Sequence, residues 1–340
     1  MPSLIISGYN VKVKVRSKHL DLYRWEEEGE PPLKIKVPLF DLDRVVVVGR
    51  PDISVPVFQR LLRRGIPCYF TTSSGRWVGS LTPSNNLNAA RRIRQYETAR
   101  DEALALRIAR RIVQIKILNC RRVLQRLAAN RGESKSPRQV DITSELQKLV
   151  LPATKAGSLD ELRGYEGLAA ARYFSRLREF FPPEIPFAGR SRRPPKDPAN
   201  ALLSWTYAIL LGEVDGCIRT HGLDPCLGFL HAISHGSPSL SLDLLEPLRA
   251  PICDLLVLHL LNHKILSRDD FEFNADIGGY LLKRESHKDF FIAYETSMTR
   301  KFRILQGEEH VDFRQVIDRQ VLAILRALEG SEEFDFFKMP

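Results

Sequence analysis

The chain has 340 residues, 44% of them hydrophobic, with 51 Lys and Arg against 41 Asp and Glu for a formal charge of +10. It can bury a full core in about two domains; no apolar run approaches the roughly 18 to 20 residues of a membrane span, and the start MPSLIISGYNVKVKV lacks the apolar stretch of a signal peptide, so a cytoplasmic protein with no membrane partner is expected. Five scattered cysteines (Cys68, Cys120, Cys217, Cys226, Cys253) without a C-x-x-C exclude a disulfide framework and a zinc knuckle.

The first eighty residues read as β structure. Short alternating or β-branched runs at residues 4–6, 11–15, 33–37, 45–48, 68–71 and 77–81 are separated by turn residues such as Gly8, Pro31-Pro32, Gly49, Gly65 and Ser74-Gly75. One short helix is expected near residues 54–63. The polar stretch 82–86, TPSNN, marks a lasting change of pattern, so domains are expected at 1–83 and 84–330. Residues 331–340, acidic and aromatic, read as a flexible tail.

After that boundary the pattern is helical. Residues 91–140 hold 14 Lys and Arg against four acids, a local charge of +10 that equals the charge of the whole chain. Solvated helix faces usually mix signs, so this segment reads as facing a polyanion, with Arg110, Arg111, Arg121 and Arg122 as candidate contacts. The Pro-rich loop 182–196 adds Arg190, Arg192, Arg193 and Lys196. Ser158 with Glu161 forms a capping box, Asp197-Pro198 caps a helix closed by Gly222, and Pro251 is expected to open another over residues 252–266.

Within the capped helix, Leu159, Leu162, Glu166, Ala169 and Tyr173 follow a 3, 4, 3, 4 spacing, which places Glu166 on a stripe that a helix buries. A lone buried carboxylate costs several kcal/mol, so Glu166 needs a metal, a protonated state or a partner. Leu227-Gly228-Phe229-Leu230-His231 puts a histidine in an apolar run, and Asp243-Leu244-Leu245-Glu246 offers two carboxylates, the donor types divalent metals use. Each has a plainer use: His231 as a hydrogen-bonded core histidine, Asp243 and Glu246 as a capping pair at a helix start near Pro247. His259 and His263 share one helix face, but Leu260 stands where a zinc hydrolase places its glutamate, so they read as core or interface residues.

Four ordered blocks carry a resemblance: GYEG (164–167) with AAARYF (169–174); DPANALLS (197–204); LDP (223–225) with LGFLH (227–231); and PSL (238–240) with DLLE (243–246) and Arg249. Together they resemble the CRISPR adaptation integrase family, Cas-one. The resemblance implies an α+β two-domain fold, an N-terminal β-sandwich-like domain followed by an all-α catalytic domain. It implies a divalent-metal-dependent DNA endonuclease and integrase, using Mg²⁺ or Mn²⁺, that inserts short duplex fragments into the CRISPR array by transesterification. Its metal ligands carry over to Glu166, His231 and Glu246, and Asp243 matches a nearby catalytic acid. The implied partners are double-stranded and branched DNA (prespacer and CRISPR repeat), a second copy in a homodimer, and the small protein Cas-two. The chain departs from the usual pattern in a His231 to Asp243 interval one residue longer and in Pro247. Tyr207, with Tyr165 and Tyr173, is a candidate for stacking on splayed bases or for helix packing. Two rivals stand beside this reading: a non-catalytic basic DNA-binding protein with Glu166 in an ion pair, and a small-substrate metallohydrolase using His259 and His263.

Overall fold

A computed structural model describes residues 3–25, 31–73, 77–83, 89–191, 193–304 and 310–340. The chain divides into two compact units, Met1–Leu87 with Ala208–Gly222 and Asn88–Tyr207 with Leu223–Pro340. The Ser74-Gly75 turn, most of the stretch 82–86 and Arg192 lie outside the described residues.

The first unit comprises strands β1 (Ser3–Ser7), β2 (Val11–Arg16), β3 (His19–Arg24), β4 (Leu33–Pro38), β5 (Arg44–Val48) and β6 (Asp52–Ile53), helix α1 (Val55–Arg63), and strands β7 (Cys68–Thr71) and β8 (Trp77–Leu81). They form two four-stranded sheets, in the orders β1-β5-β7-β8 and β4-β3-β2-β6. β1, β5 and β7 run parallel, because α1 provides a crossover, while β8 returns antiparallel. Alternation fixes the buried face: Val11 and Val13 point inward while Lys14 is exposed, and Val13 lies opposite Leu22. Ile6, Val45, Val47 and Cys68 from one sheet meet Val13, Leu20 and Leu22 from the other, with Val57 and Leu61 of α1, in one core. This is the sandwich-like arrangement expected, with two strands the sequence concealed, β3 and the two-residue β6. β3 carries the fully buried Asp21, approached by Arg16 at 3.2 Å, His19 at 3.3 Å and Lys34 at 3.6 Å, and that mid-strand charge hides the alternation. Residues 208–222 belong to this unit through an Arg44–Glu213 ion pair and through Gly216, where an added Cβ would come within 2.2 Å of the Tyr69 ring.

The second unit is mainly helical: α2 (Ala89–Arg100), α3 (Glu102–Asn130), α4 (Pro137–Lys155), α5 (Leu159–Leu177), the first part of α6 (Pro198–Thr220), α7 (Ser239–Leu248), α8 (Leu255–Asn262), α9 (His287–Thr299) and α10 (Phe313–Leu328). Two small antiparallel pairs interrupt the helices, β9 (Phe271–Asn274) with β10 (Gly279–Leu282) and β11 (Phe302–Arg303) with β12 (His310–Val311). α3 is capped by Asp101, whose carboxylate accepts from Ala103 N and Leu104 N at 3.0 Å each. Its buried residues, among them Ile108, Ile112, Val113, Ile115, Ile117, Cys120 and Val123, occupy most of its circumference, and it packs against α4, α5 and α7.

Three expectations need correction. Pro251 does not open a helix: the chain passes from α7 through a π-type stretch, Arg249–Asp254, directly into α8. The Pro247 carbonyl would ordinarily accept from residue 251, but proline has no N–H, and Asn119 of α3 donates to that carbonyl at 2.7 Å instead. Residues 331–340 are not a free tail. Phe334, Phe336 and Met339 are buried, and Asn119 binds this segment by donating to Phe337 O at 2.8 Å and accepting from Met339 N at 2.8 Å. Finally, α6 is long and apolar enough to cross a membrane, but 72% of its apolar window is buried inside the protein, as in the core helix of a folded domain.

Candidate metal centre

The site is assembled from the middle of α3, the middle of α5, the loop before α7, and α7 itself. On α5, Leu162, Ala169 and Tyr173 are buried as their spacing dictates, and Glu166 sits among them partly shielded. Its carboxylate contacts Lys116 of α3 through an Nζ–Oε1 ion pair. The same ammonium lies 2.6 Å from Glu246 Oε2 on α7, so two carboxylates from different helices converge on one cation. Arg249, one turn after Glu246, reaches its other oxygen at 2.9 Å.

Asp243 is not a helix cap, because α7 begins four residues earlier. Its buried carboxylate collects four donors: Phe229 N at 2.6 Å and Leu230 N at 3.0 Å on one oxygen, His231 N at 2.9 Å and His231 Nδ1 at 2.7 Å on the other. The apolar run before His231 is thus a loop pinned to α7 by its own amides. Gly228 allows the approach, since an added Cβ would lie 2.5 Å from Asp243 Oδ2 and 2.7 Å from the Ser239 carbonyl carbon. Arg163 of α5 holds the far side by donating to Leu230 O at 2.7 Å. In the neutral tautomer that donates Nδ1–H to Asp243, the imidazole turns Nε2 as an acceptor toward Glu246 Oε1, 3.7 Å away.

Two acceptors facing each other across 3.7 Å, beside a second carboxylate already drawn to a cation, fit a divalent metal bound by oxygen and imidazole donors. Glu166, His231 and Glu246 are the residues that would hold it. Burial pushes the Glu246 carboxyl up, but Arg249 and Lys116 outweigh it and hold the group at about 2. It is therefore an anion at neutral pH. Lys116 is drained by burial yet held cationic above its ordinary range by Glu246 and Glu166. Pro247, the departure from the usual pattern, leaves Glu246 inside α7 and in this cluster.

The sequence pointed to Glu166, His231, Asp243 and Glu246 but not to Lys116, which counted as one more cation on a basic helix. The apolar residues around it in the chain, Ile112, Val113, Ile115, Ile117 and Cys120, were the available sign that this stretch of α3 is enclosed. A second missed group is Asp254, in the π-type stretch, which accepts from Tyr173 OH at 2.7 Å and Tyr207 OH at 2.5 Å. The guanidiniums of Arg190 and Arg249 each lie 5.2 Å from the Tyr207 ring centre, so Arg249 joins this network to Glu246. Tyr207 is engaged by Asp254 and two arginines rather than presented as a platform for bases, and Tyr173 is buried.

Burial pushes the Asp254 carboxyl up from 3.8 to about 6, against the hydrogen bonds from Tyr207 and Tyr173. A folded state that keeps this proton where the unfolded chain has released it loses stability as pH rises from about 4 to about 6. Asp254→Asn removes that loss. Its stability relative to the wild type is expected to improve by about 3 kcal/mol between pH 4 and pH 7 in urea melts; a constant difference would mean that Asp254 is ionised throughout.

The candidate DNA contacts divide. Arg110 donates to Ala156 O at 2.8 Å, Arg121 to Thr143 O at 3.2 Å and Arg122 to Pro340 O at 2.7 Å, while Arg111 pairs with Asp335. Arg190 donates to Asn200 Oδ1 at 2.8 Å and Ser204 Oγ at 3.0 Å. These side chains brace the protein; among the candidates, Arg122 and Arg193 remain exposed, together with Arg94, Arg100, Lys135 and Lys196. His259 and His263 are neither core residues nor part of the metal centre: both are exposed, with ring centres 4.6 Å apart, on the wall of a cavity of about 770 Å³ also lined by Phe180, Ile292, Phe302 and Met339.

Comparison with known proteins gives one consistent result. The profile of the family described as CRISPR associated protein Cas1 matches residues 4–296. The chain is 32% identical over 270 residues to CRISPR-associated endonuclease Cas1 3 of Thermus thermophilus, covering 79% of this chain and 77% of that one. Among solved structures, a casposase bound to integration product superposes with a TM-score of 0.86 at 22% identity, covering 99% of this chain and 93% of that one, a likeness of fold. A chain of a Cas6-RT-Cas1–Cas2 complex superposes with a TM-score of 0.80 at 25% identity, covering 100% of this chain and 36% of that one. With its ordered blocks brought together around Glu166, His231 and Glu246 and its match to the family extending over both units, this chain belongs to the CRISPR-associated Cas1 family.

Proposed function

We propose that the protein is a divalent-metal-dependent DNA endonuclease and integrase of CRISPR adaptation, which inserts short duplex fragments into a CRISPR array by transesterification with Mg²⁺ or Mn²⁺ held by Glu166, His231 and Glu246. The observation that carries this function is the convergence of Glu166 and Glu246 on one cation position, with the His231 Nε2 acceptor turned toward Glu246. A binding-only protein accounts for the Lys116 ion pairs but gives no reason for gathering Glu166, His231, Asp243 and Glu246 from separate elements at one point. When bound, the ion supplies Lewis-acid polarisation of the scissile phosphate and stabilises the departing oxygen. The chain's own residues set the geometry: Asp243 fixes the imidazole tautomer, Arg249 keeps Glu246 ionised, and the attacking group is a DNA 3′-hydroxyl, so no protein nucleophile is required. Affinity for duplex and branched DNA comes from phosphate contacts by exposed cations such as Arg94, Arg122, Arg193 and Lys196, with strong salt dependence and little base readout. A homodimer joined by a Cas2 protein is the assembly this function implies, and one of the structures it resembles is named as a complex with Cas2.

The test is a nicking and strand-transfer assay on branched DNA carrying a CRISPR repeat. Activity with Mn²⁺ or Mg²⁺ that chelation abolishes is the expected result. Tight DNA binding without any metal-dependent cleavage would leave the binding-only rival standing.

A further inference from the structure

The position between Glu166 and Glu246 already holds a charge of the right sign. Lys116 Nζ contacts Glu166 Oε1 and lies 2.6 Å from Glu246 Oε2, with its side chain only 12% exposed. Lys116 stands on the central helix among the buried Ile115, Ile117 and Asn119, so its ammonium is carried to this point by a packed helix rather than arriving from a mobile surface chain. Without it, two carboxylates from α5 and α7 would face each other across a poorly solvated gap and repel. An ammonium and a divalent ion that both require these oxygens compete for one place. We propose that Lys116 is the resident counter-cation of the metal centre: it holds Glu166 and Glu246 converged before metal arrives, is displaced from both carboxylates when metal binds, and thereby sets the metal affinity. The proposal rests on the assignment of Glu166, His231 and Glu246 as the metal-binding set.

Displacement is read directly on the unmodified protein. Full-length wild type is treated with a limiting amine-acetylating reagent, with and without saturating Mn²⁺, in the absence of DNA, and acetylation is followed residue by residue by mass spectrometry. Acetylation of Lys116 should accelerate about tenfold with Mn²⁺, as the ammonium leaves its two pairs, while the exposed Lys135 and Lys148 react at unchanged rates. In parallel, Mn²⁺ dissociation constants are measured by the electron paramagnetic resonance signal of free Mn²⁺. Lys116→Met should bind Mn²⁺ about tenfold more tightly than wild type and melt several degrees lower without metal, because a competitor for the oxygens and a neutraliser of their repulsion are lost together. A lysine with only a structural role predicts the opposite, weaker Mn²⁺ binding by the variant. If Lys116→Met fails to fold, the acetylation of wild type decides. Mn²⁺ binding with no rise in Lys116 acetylation overturns the exchange and leaves the metal centre intact; absence of Mn²⁺ binding by the wild type overturns both.

Discussion

Glu166→Gln is expected to abolish metal-dependent nicking and strand transfer while leaving the metal-free fold within about 1 kcal/mol of wild type, whereas Glu246→Gln should abolish the same activity and cost about 3 to 5 kcal/mol of stability. The asymmetry follows from how the charges are shared. Removing the Glu166 charge leaves Lys116 its contact with Glu246, and Glu166 is itself partly solvated. Removing the Glu246 charge takes from Arg249 the carboxylate it reaches at 2.9 Å, and leaves two largely buried cations to one remaining acid. Neither variant should gain the stabilisation that Mn²⁺ gives the wild type by mass action. Urea melts of the three proteins with and without Mn²⁺, beside one cleavage assay, decide the matter. A Glu166→Gln protein that is several kcal/mol less stable yet still cleaves would make Glu166 a structural ion-pair partner and end its assignment as a ligand.

Asp243→Asn should also be damaging, for a different reason. Three backbone amides and the His231 Nδ1–H all point at one carboxylate. An amide side chain offers them one oxygen and turns an NH₂ group toward donors, so at least one buried N–H is left facing another. The expected cost is about 3 kcal/mol in the metal-free protein, together with a 10- to 100-fold weaker Mn²⁺ affinity as the imidazole loses its fixed tautomer. Isothermal titration with Mn²⁺ and a urea melt measure the two effects. If affinity held while stability fell, Asp243 would support only the loop and not the histidine. The expected pair of losses makes Asp243 a positioning residue for His231, which accounts for an acid near the metal set whose oxygens are both already occupied.

Much of this was legible in order along the chain. The alternation of β2 and the turn glycines gave the first unit its β character, and the 3, 4, 3, 4 stripe gave α5 its buried face with Glu166 on it. Where the reading failed, a tertiary contact had replaced a local rule. Pro251 should have opened a helix, but Asn119 satisfies the carbonyl that proline abandons, and the helix continues. The tail should have been loose, but its phenylalanines found an apolar surface and Asn119 its backbone. The arginines of α3 read as facing a polyanion, yet Arg110 and Arg121 donate to carbonyl groups of their own chain, which a local charge count does not show.

By itself the sequence determined the types of donor available, their placement on helices or loops, and, through the ordered blocks, the family. The donor types and their placement follow from periodicity and spacing, which act over a few residues and need no knowledge of distant partners; the family follows from the resemblance of the blocks. Only the tertiary structure decided that Glu166 and Glu246 meet at one point, that Asp243 orients His231 instead of capping a helix, and that Lys116 stands between the two glutamates. Glu166 and Lys116 are 50 residues apart, and nothing local sets which face of α3 turns toward α5. That choice is made by burial of Ile112, Ile115 and Val123 around the same helix, which carries the largely buried Lys116 to the two glutamates that satisfy its charge.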